Sequence, residues 1–257
     1  MVYKYCENMN FEDLASGRVI AHKAGYPNFP VRLAQEIFGR CLSYLDRTED
    51  ICIYDPCCGG GYLLTVLGFL NYKNIKTIMA SDISEEALRL AGENLSLLHR
   101  EGLEGRISQL KNLYSLHNKE SHAEALGSAA NLLSIVTDQP REIEYEVFKA
   151  DILSACPLAG CRFKADIIFA DVPYGRLVEW QDESGENGNV QNGNEDRGNG
   201  KERSGSSNFL DQLIPVMKDN SIAAICSDKS QKFQSGHFQR LEKQAIGKRV
   251  FQIFKLS

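Results

Sequence analysis

The chain has 257 residues, 43% of them hydrophobic and 25% charged, with a formal net charge of -5 and a sequence pI of about 5.6. It is long enough to bury a core without staples, and its acidic balance argues against a general nucleic-acid binder. No apolar run approaches the roughly 18 residues of a membrane span, and "MVYKYCENMNFEDL" lacks a basic start followed by an apolar stretch, so neither a membrane helix nor a secretory signal is expected and the cytoplasm is the expected compartment.

Residues 1–29 read as irregular and close on "GYPNFP". Pro30 suits the first turn of a helix, where its missing N–H costs nothing. Val31, Leu33, Ala34, Ile37, Phe38, Cys41, Leu42 and Leu45 recur at helical spacing, which predicts a helix from about Pro30 to Leu45. Ile51 to Tyr54 reads as a short strand, Gly59-Gly60-Gly61 as a turn and Tyr62 to Leu70 as a helix. "KTIMASDIS" predicts a second strand ending at Asp82. Ser84 would cap the next helix, with Glu85 and Glu86 in its positive first turn. That helix is expected to run to about Arg100, with Gly102 as its stop. Leu103 to Val136 stays helical in period, with a break near "HNKES", which predicts two inserted helices. "EYEVFKAD", "KADIIFAD" and "NSIAAICSD" predict three more strands, and "KRVFQIFKL" a last one, hairpinned across "IGK" to Phe238–Ala245.

Strands alternating with helices predict an α/β fold, a mostly parallel sheet with crossover helices on both faces and an antiparallel C-terminal hairpin strand. One domain is expected over 1–257, with an N-terminal helical segment at 1–46 and a helical insert at about 103–137. Gln181 to Asn208 holds six Asn, six Gly and four Ser in 28 residues. Such a segment cannot offset its ordering entropy by burial, so a flexible loop is expected at about 181–208. An inert insertion is the simpler reading of it, and a lid over a site the alternative. The eight cysteines contain no C-x-x-C pair, so free thiols are expected and no metal. From Lys218 to Ser257 eight Lys or Arg stand against three acids. This basic end reads equally as a phosphate-facing surface and as a solvated face.

Ligands of an open parallel sheet bind outside the carboxyl ends of the strands. Four of those ends carry an acid here: Asp55, Asp82, Asp151 and Asp171. The glycine turn admits a ligand close to the backbone. Asp82 follows Gly61 at the distance from which an acid reaches a ribose hydroxyl pair. Asp55 beside the turn would repel a pyrophosphate but suits a cation, and Asp151 would accept from an adenine amino group. S-adenosylmethionine, with its sulfonium and ammonium, fits this better than a nicotinamide dinucleotide. The cofactor rim is therefore read as Asp55, Cys57, Gly59, Gly61, Asp82, Ile83, Asp151, Ile152 and Asp171.

"Asp171-Val172-Pro173-Tyr174" ends the fourth strand. It resembles the [D/N]-P-P-Y motif of methyltransferases that act on planar amino groups. Such nitrogens are poor nucleophiles, because their lone pair is delocalised. Acceptors on their N–H groups return density to the nitrogen, and Asp171 and the Val172 carbonyl are the candidates. Pro173 fixes the backbone, Tyr174 offers a ring for stacking, and Asp171 is the candidate general base.

"GYPNFPVRLAQEIF", "DPCCGGGYLLTVLG", "ASDIS", "ADVPYG" followed by Trp180, "SDKSQK" and "IGKR", in this order, resemble the AviRa family of 23S ribosomal RNA guanine methyltransferases, which is named for avilamycin resistance. The resemblance runs from about Gly25 to Arg249. It implies a class I Rossmann-like fold with extra helices after the second crossover helix, S-adenosylmethionine as donor and a guanine of 23S ribosomal RNA as acceptor, with N1 favoured over N2. SN2 transfer to a flipped base, a large-subunit precursor as the other form of the substrate, a monomer and orthosomycin-type antibiotic resistance are expected beside it. Carried over by position, Asp55, Gly59, Gly61 and Asp82 bind the cofactor, and Asp171, Pro173 and Tyr174 hold the base. Arg32, Trp180, Asp228, Lys229, Lys232 and Arg249 become candidates for RNA contact. Gly60, where a serine is usual, and the Asn/Gly/Ser loop depart from the pattern. The alternatives are a methyltransferase of another planar amine, in DNA adenine or protein glutamine, and a non-catalytic S-adenosylmethionine-binding module.

Overall fold

The computed structural model describes residues 2–22, 28–172 and 205–257. Seven strands form one sheet in the order β3-β2-β1-β4-β5-β7-β6. They are β1 Ile51–Asp55, β2 Ile75–Asp82, β3 Glu144–Lys149, β4 Ala165–Asp171, β5 Met217–Asp228, β6 Phe238–Ile246 and β7 Arg249–Leu256. The pairings β1–β2, β1–β4, β2–β3 and β4–β5 are parallel, and β7 runs antiparallel to both of its neighbours. β1, β4 and most of β5 are buried along their length. A parallel sheet covered on both faces requires such near-continuous apolar runs.

Alternation along the strands divides the interior in two. Ile53, Ile167, Phe169, Ala224 and Ile253 enter the larger core, with Leu33, Ile37 and Phe38 of α1 (Val31–Leu42) and Leu64 and Leu67 of α2 (Tyr62–Leu70). Tyr54, Ile168, Ala223, Ile225 and Phe254 face the second core, beneath Phe209, Leu210 and Leu213 of α6 (Gly205–Leu213). No described helix is long and apolar enough to cross a membrane.

The remaining helices are α3 Glu85–Ser96, α4 Arg100–His117 and α5 Glu120–Thr137. Ser84 caps α3 as expected, its hydroxyl accepting from Ala87 N–H at 3.3 Å. The break at "HNKES" is Asn118, left-handed at φ 45°. Three boundaries differ from the sequence reading. Pro30 is the extended residue before α1 and not part of it, and α1 stops at Leu42, before Leu45. The helix expected to reach Arg100 ends at Ser96, and Gly102 lies in the first turn of α4. A Cβ on Gly102 would stand 2.0 Å from the Ser96 carbonyl oxygen, so this glycine serves a tight helix corner and not a stop. The expected loop also gives way early, because α6 starts at Gly205. Burial of Phe209, Leu210 and Leu213 supplies what the composition before them lacks.

The N-terminal segment is held by a buried ion pair. Lys4, Tyr5 and Cys6 donate their backbone N–H groups to Glu36 Oε2 at 2.8, 2.7 and 3.2 Å. Arg40, one turn on, meets Glu36 Oε1, Glu242 Oε2 on β6 and the Val2 carbonyl. Helix α1 thereby ties the start of the chain to the sheet edge.

Candidate active site

The strand order reverses between β1 and β4, and that switch point is where a crevice opens in such sheets. Asp55 and Asp171 end the two strands that flank it. The glycine turn follows β1, with Gly59 at φ 52° and Gly61 at φ 71°. Gly59 N–H donates to Asp82 Oδ2 at 2.9 Å, and Ser84 N–H donates to Asp82 Oδ1 at 3.0 Å. Cys57 N–H donates to Asp55 Oδ1 at 2.9 Å. The acids ending β1 and β2 are thus oriented by the loops they support.

A Cβ on Gly61 would lie 2.9 Å from Ala91 Cα, on α3. Gly61→Ala therefore combines a left-handed backbone with a backbone clash. It is expected to cost roughly 2–4 kcal/mol, read as a lower denaturant midpoint at unchanged slope. An unchanged midpoint would mean that α3 can shift. Buried Asn94, also on α3, donates to the Gly60 carbonyl at 2.8 Å and bonds both the N–H and the carbonyl of Ala21. Nothing in the sequence marked this residue, because an asparagine within a helix carries no local signature of its partner.

Strand β4 carries two acids in contrasting states, Asp166 buried and Asp171 partly so. Asp166, at its start, is saturated by Arg47 at 2.9 Å, Lys218 at 2.6 Å and the Cys52 N–H at 2.9 Å. Asp171, at its end, has an Oδ1 that is buried with no hydrogen-bond partner among the described residues. Its Oδ2 stands 3.8 Å from Arg249 Nη1. Burial pushes the Asp171 carboxyl up to about 7, against the pull of Arg249. Burial likewise holds Asp55 well above the usual carboxylate range. Asp171 and Asp82 add to that rise, while the Cys57 N–H opposes it. Two acids at one switch point are therefore reluctant anions.

The other candidates are distributed as follows. Ile83 is half-buried and Ile152 buried. Asp151 spends Oδ1 on the Leu153 N–H at 2.9 Å. Val172 is buried, and its N–H donates to the Cys226 carbonyl at 2.9 Å. Pro173, Tyr174, Trp180 and residues 181–204 of the loop expected over about 181–208 lie outside the described residues. Arg32 stacks over the Tyr3 ring at 4.1 Å, on the N-terminal segment. Asp228 ends β5, and its Oδ1 accepts from the N–H and the hydroxyl of Ser230. Lys229 and Lys232 are exposed on the loop that follows. Arg249 opens β7 opposite Asp228, with its guanidinium 5.4 Å from the Phe29 ring. Phe29 packs edge-on against Phe169 at 5.6 Å, a contact that the sequence reading did not anticipate.

A sheet of this strand order, with a glycine turn and paired acids at its switch point, defines a Rossmann-like methyltransferase. The model of the rRNA methyltransferase AviRa family matches residues 1–192 and 188–249. The chain belongs to that family of ribosomal RNA methyltransferases. It is 32% identical, over 95% of its length and 91% of the relative's, to the "23S rRNA (guanine(2535)-N(1))-methyltransferase" of Streptomyces viridochromogenes. Two solved structures of rRNA methyltransferase AviRa from that organism superpose with TM-scores of 0.77 and 0.79. Identities are 32% and 31%, covering 96% and 97% of this chain and 93% and 94% of theirs. TrmN from Thermus thermophilus shares the fold alone, at TM-score 0.50 and 14% identity, over 91% of this chain and 51% of that one.

Proposed function

We propose that this protein methylates N1 of a guanine in 23S ribosomal RNA with S-adenosylmethionine as donor, and that resistance to orthosomycin-type antibiotics is the cellular consequence. The observation that carries the reading is the buried Oδ1 of Asp171 at the switch point, without a hydrogen-bond partner among the described residues, in a chain of this family. Bound S-adenosylmethionine supplies an electrophilic methyl group on a positively charged sulfur. Gly59 would let a ligand approach the backbone, while Gly61 is needed for the close packing of the turn on α3; Asp82 would hold the ribose hydroxyls, and Asp151 and Ile152 the adenine edge. Asp55 and Asp171 suit a cation, because ionising them is unfavourable until positive charge arrives.

That last point makes a prediction. Cofactor binding is expected to release protons and to tighten between pH 6 and pH 8, because Asp171 and Asp55 are raised and must ionise against the sulfonium. S-adenosylhomocysteine, which has no sulfonium, is expected to show a weaker dependence. Calorimetry in two buffers of different ionisation enthalpy measures both; equal proton release for the two ligands would remove the charge argument.

At the acceptor side, Asp171 takes the N1 proton as general base. Val172 and Pro173 set the backbone beside it, and Tyr174 stacks the base. The base leaves its stack to enter, unless the RNA already presents it unpaired. Lys229 and Lys232 meet phosphates at the rim. Replacing both with Glu is expected to weaken RNA binding and to lower the slope of log affinity against log salt by about 2. An unchanged slope, measured by filter binding over a salt series, would place the RNA elsewhere.

The deciding assay incubates the protein with labelled S-adenosylmethionine and unmodified bacterial 23S ribosomal RNA, then digests the RNA for nucleoside mass spectrometry. 1-Methylguanosine is expected. A different methylated nucleoside would refute the acceptor, and no transfer to free RNA or to ribosomal subunits would refute the substrate.

A further inference from the structure

We propose that Arg249 is a catalytic residue of this site, donating its guanidinium N–H to O6 of the guanine while Asp171 accepts the N1 proton, so that the two side chains together hold the anion formed on one edge of the base. The inference rests on the guanine-N1 reading above and assigns the second half of the recognition.

Three observations and one general property of arginine support it. Arg249 Nη1 and Asp171 Oδ2 are 3.8 Å apart, an ion pair longer than a direct N–H···O hydrogen bond, whose usual upper bound is about 3.2 Å. A cation and a carboxylate at that spacing present a donor and an acceptor side by side. The imide edge of guanine presents the complement, an acceptor at O6 next to a donor at N1. Next, the placement is built in: Arg249 is fixed opposite Asp228 by the β5–β7 register, and it lies over Phe29, which is wedged on Phe169 two residues before Asp171. Then, only about a quarter of the side chain is exposed, so its charge acts in a poorly solvated place, where electrostatic stabilisation is large. Last, the fork of a guanidinium is planar and its direction is set by the chain, as pairing with a flat base edge requires.

The chemistry needs such a group. Removing the proton from N1 leaves the N–H electron pair spread over N1, C6 and O6, with much of the charge on O6. Asp171 holds the proton, and Arg249 faces the oxygen. The N1 pair then forms the bond to the methyl carbon as the carbon–sulfur pair stays on sulfur, and the proton on Asp171 passes to solvent. Without a cation at O6, the proton would leave a base whose N1–H is a very weak acid at neutral pH.

The test begins with the wild-type product. If it is not 1-methylguanosine, the underlying reading fails and Arg249 is not at issue. With 1-methylguanosine in hand, R249M and R249K are assayed at saturating RNA. The expected result for R249M is a kcat loss of about 10²–10³-fold, with KM for RNA, its salt slope and cofactor affinity within a few-fold of wild type. The acid limb of the kcat–pH profile is expected to move to higher pH, since Arg249 is the cation facing Asp171, whose other titratable neighbours among the described residues are Asp55 on β1, Cys57 just after it and Cys226 on β5. Carbon-13 NMR of the Asp171 carboxyl reads the same upward shift without turnover. R249K keeps a charge and most of the packing but loses the fork. A kcat loss of about tenfold or more at unchanged melting temperature supports the proposal even if R249M folds poorly. Wild-type kcat in R249K, or a higher KM for RNA with a shallower salt slope and unchanged kcat in R249M, makes Arg249 a phosphate contact and overturns it.

Discussion

Asp171→Asn is expected to lower kcat by roughly 10²–10⁴-fold and, at pH 8, to raise the melting temperature. Both effects come from the same burial. The Asp171 carboxyl is raised to about 7, chiefly by desolvation and in spite of Arg249. An unfolded carboxyl titrates near about 3.9. Between those values the native state keeps a proton that the unfolded state has lost, so this group makes stability fall as pH rises through that window. Above about 7 the native protein carries the full penalty. Asparagine has the same shape and no such titration. The gain at pH 8 is bounded by roughly 4 kcal/mol and is expected to be about 1–3 kcal/mol after local relaxation. For a chain of this size that is a rise of several degrees, at about 2–4 °C per kcal/mol. At pH 4 the two proteins should melt alike. Scanning calorimetry at the two pH values, beside a transfer assay, checks both halves. A variant that methylates at the wild-type rate, or that melts lower at pH 8, would remove Asp171 from the role of buried base.

Glu36→Ala is expected to have the largest effect on stability, a loss of about 3–5 kcal/mol. The substitution leaves Arg40 buried with Glu242 as its remaining carboxylate partner. It also strips three backbone N–H groups, of Lys4, Tyr5 and Cys6, of their acceptor. A buried donor left without a partner costs its desolvation in full. The pH signature is opposite to that of Asp171. Burial raises the Glu36 carboxyl, but the hydrogen bonds from Lys4, Tyr5 and Arg40 outweigh it, and the net value lies below the usual range. Its contribution is therefore present above the unfolded value and is lost as pH falls through the folded one. The gap between wild type and variant should be full at pH 7 and shrink in acid. Urea unfolding at pH 7 and near pH 3 gives the two numbers; a gap that widens in acid would contradict the assignment. Glu36→Gln, which keeps an acceptor oxygen and loses the charge, should fall between.

What could be read in the sequence was whatever short-range physics controls. Helical period marked the apolar face of α1. Ser84 three residues before Ala87 announced its cap, Asn118 and its neighbours the break between α4 and α5, and "IGK" the hairpin between β6 and β7. The acids that end β1, β2 and β4 and the glycine turn were visible as well, because each lies within a short stretch of chain, whereas Asp151, expected at the end of β3, stands two residues beyond that strand's last residue, Lys149. Tertiary structure decided what these residues became. Strand order set Asp55 and Asp171 on neighbouring strands at the switch point. The insertion of β7 between β5 and β6 brought Arg249 to Asp171. The same packing made Gly102 a corner and not a stop, and made Glu36 and Asn94 buried anchors. It also separated Asp166 from Asp171, two acids on one strand that the sequence presents alike. One is compensated by Arg47 and Lys218, and the other has an oxygen with no hydrogen-bond partner among the described residues. Spacing and capping act over a turn or a strand, whereas desolvation and charge pairing depend on which distant segments close over a side chain, and only the folded sheet determines that.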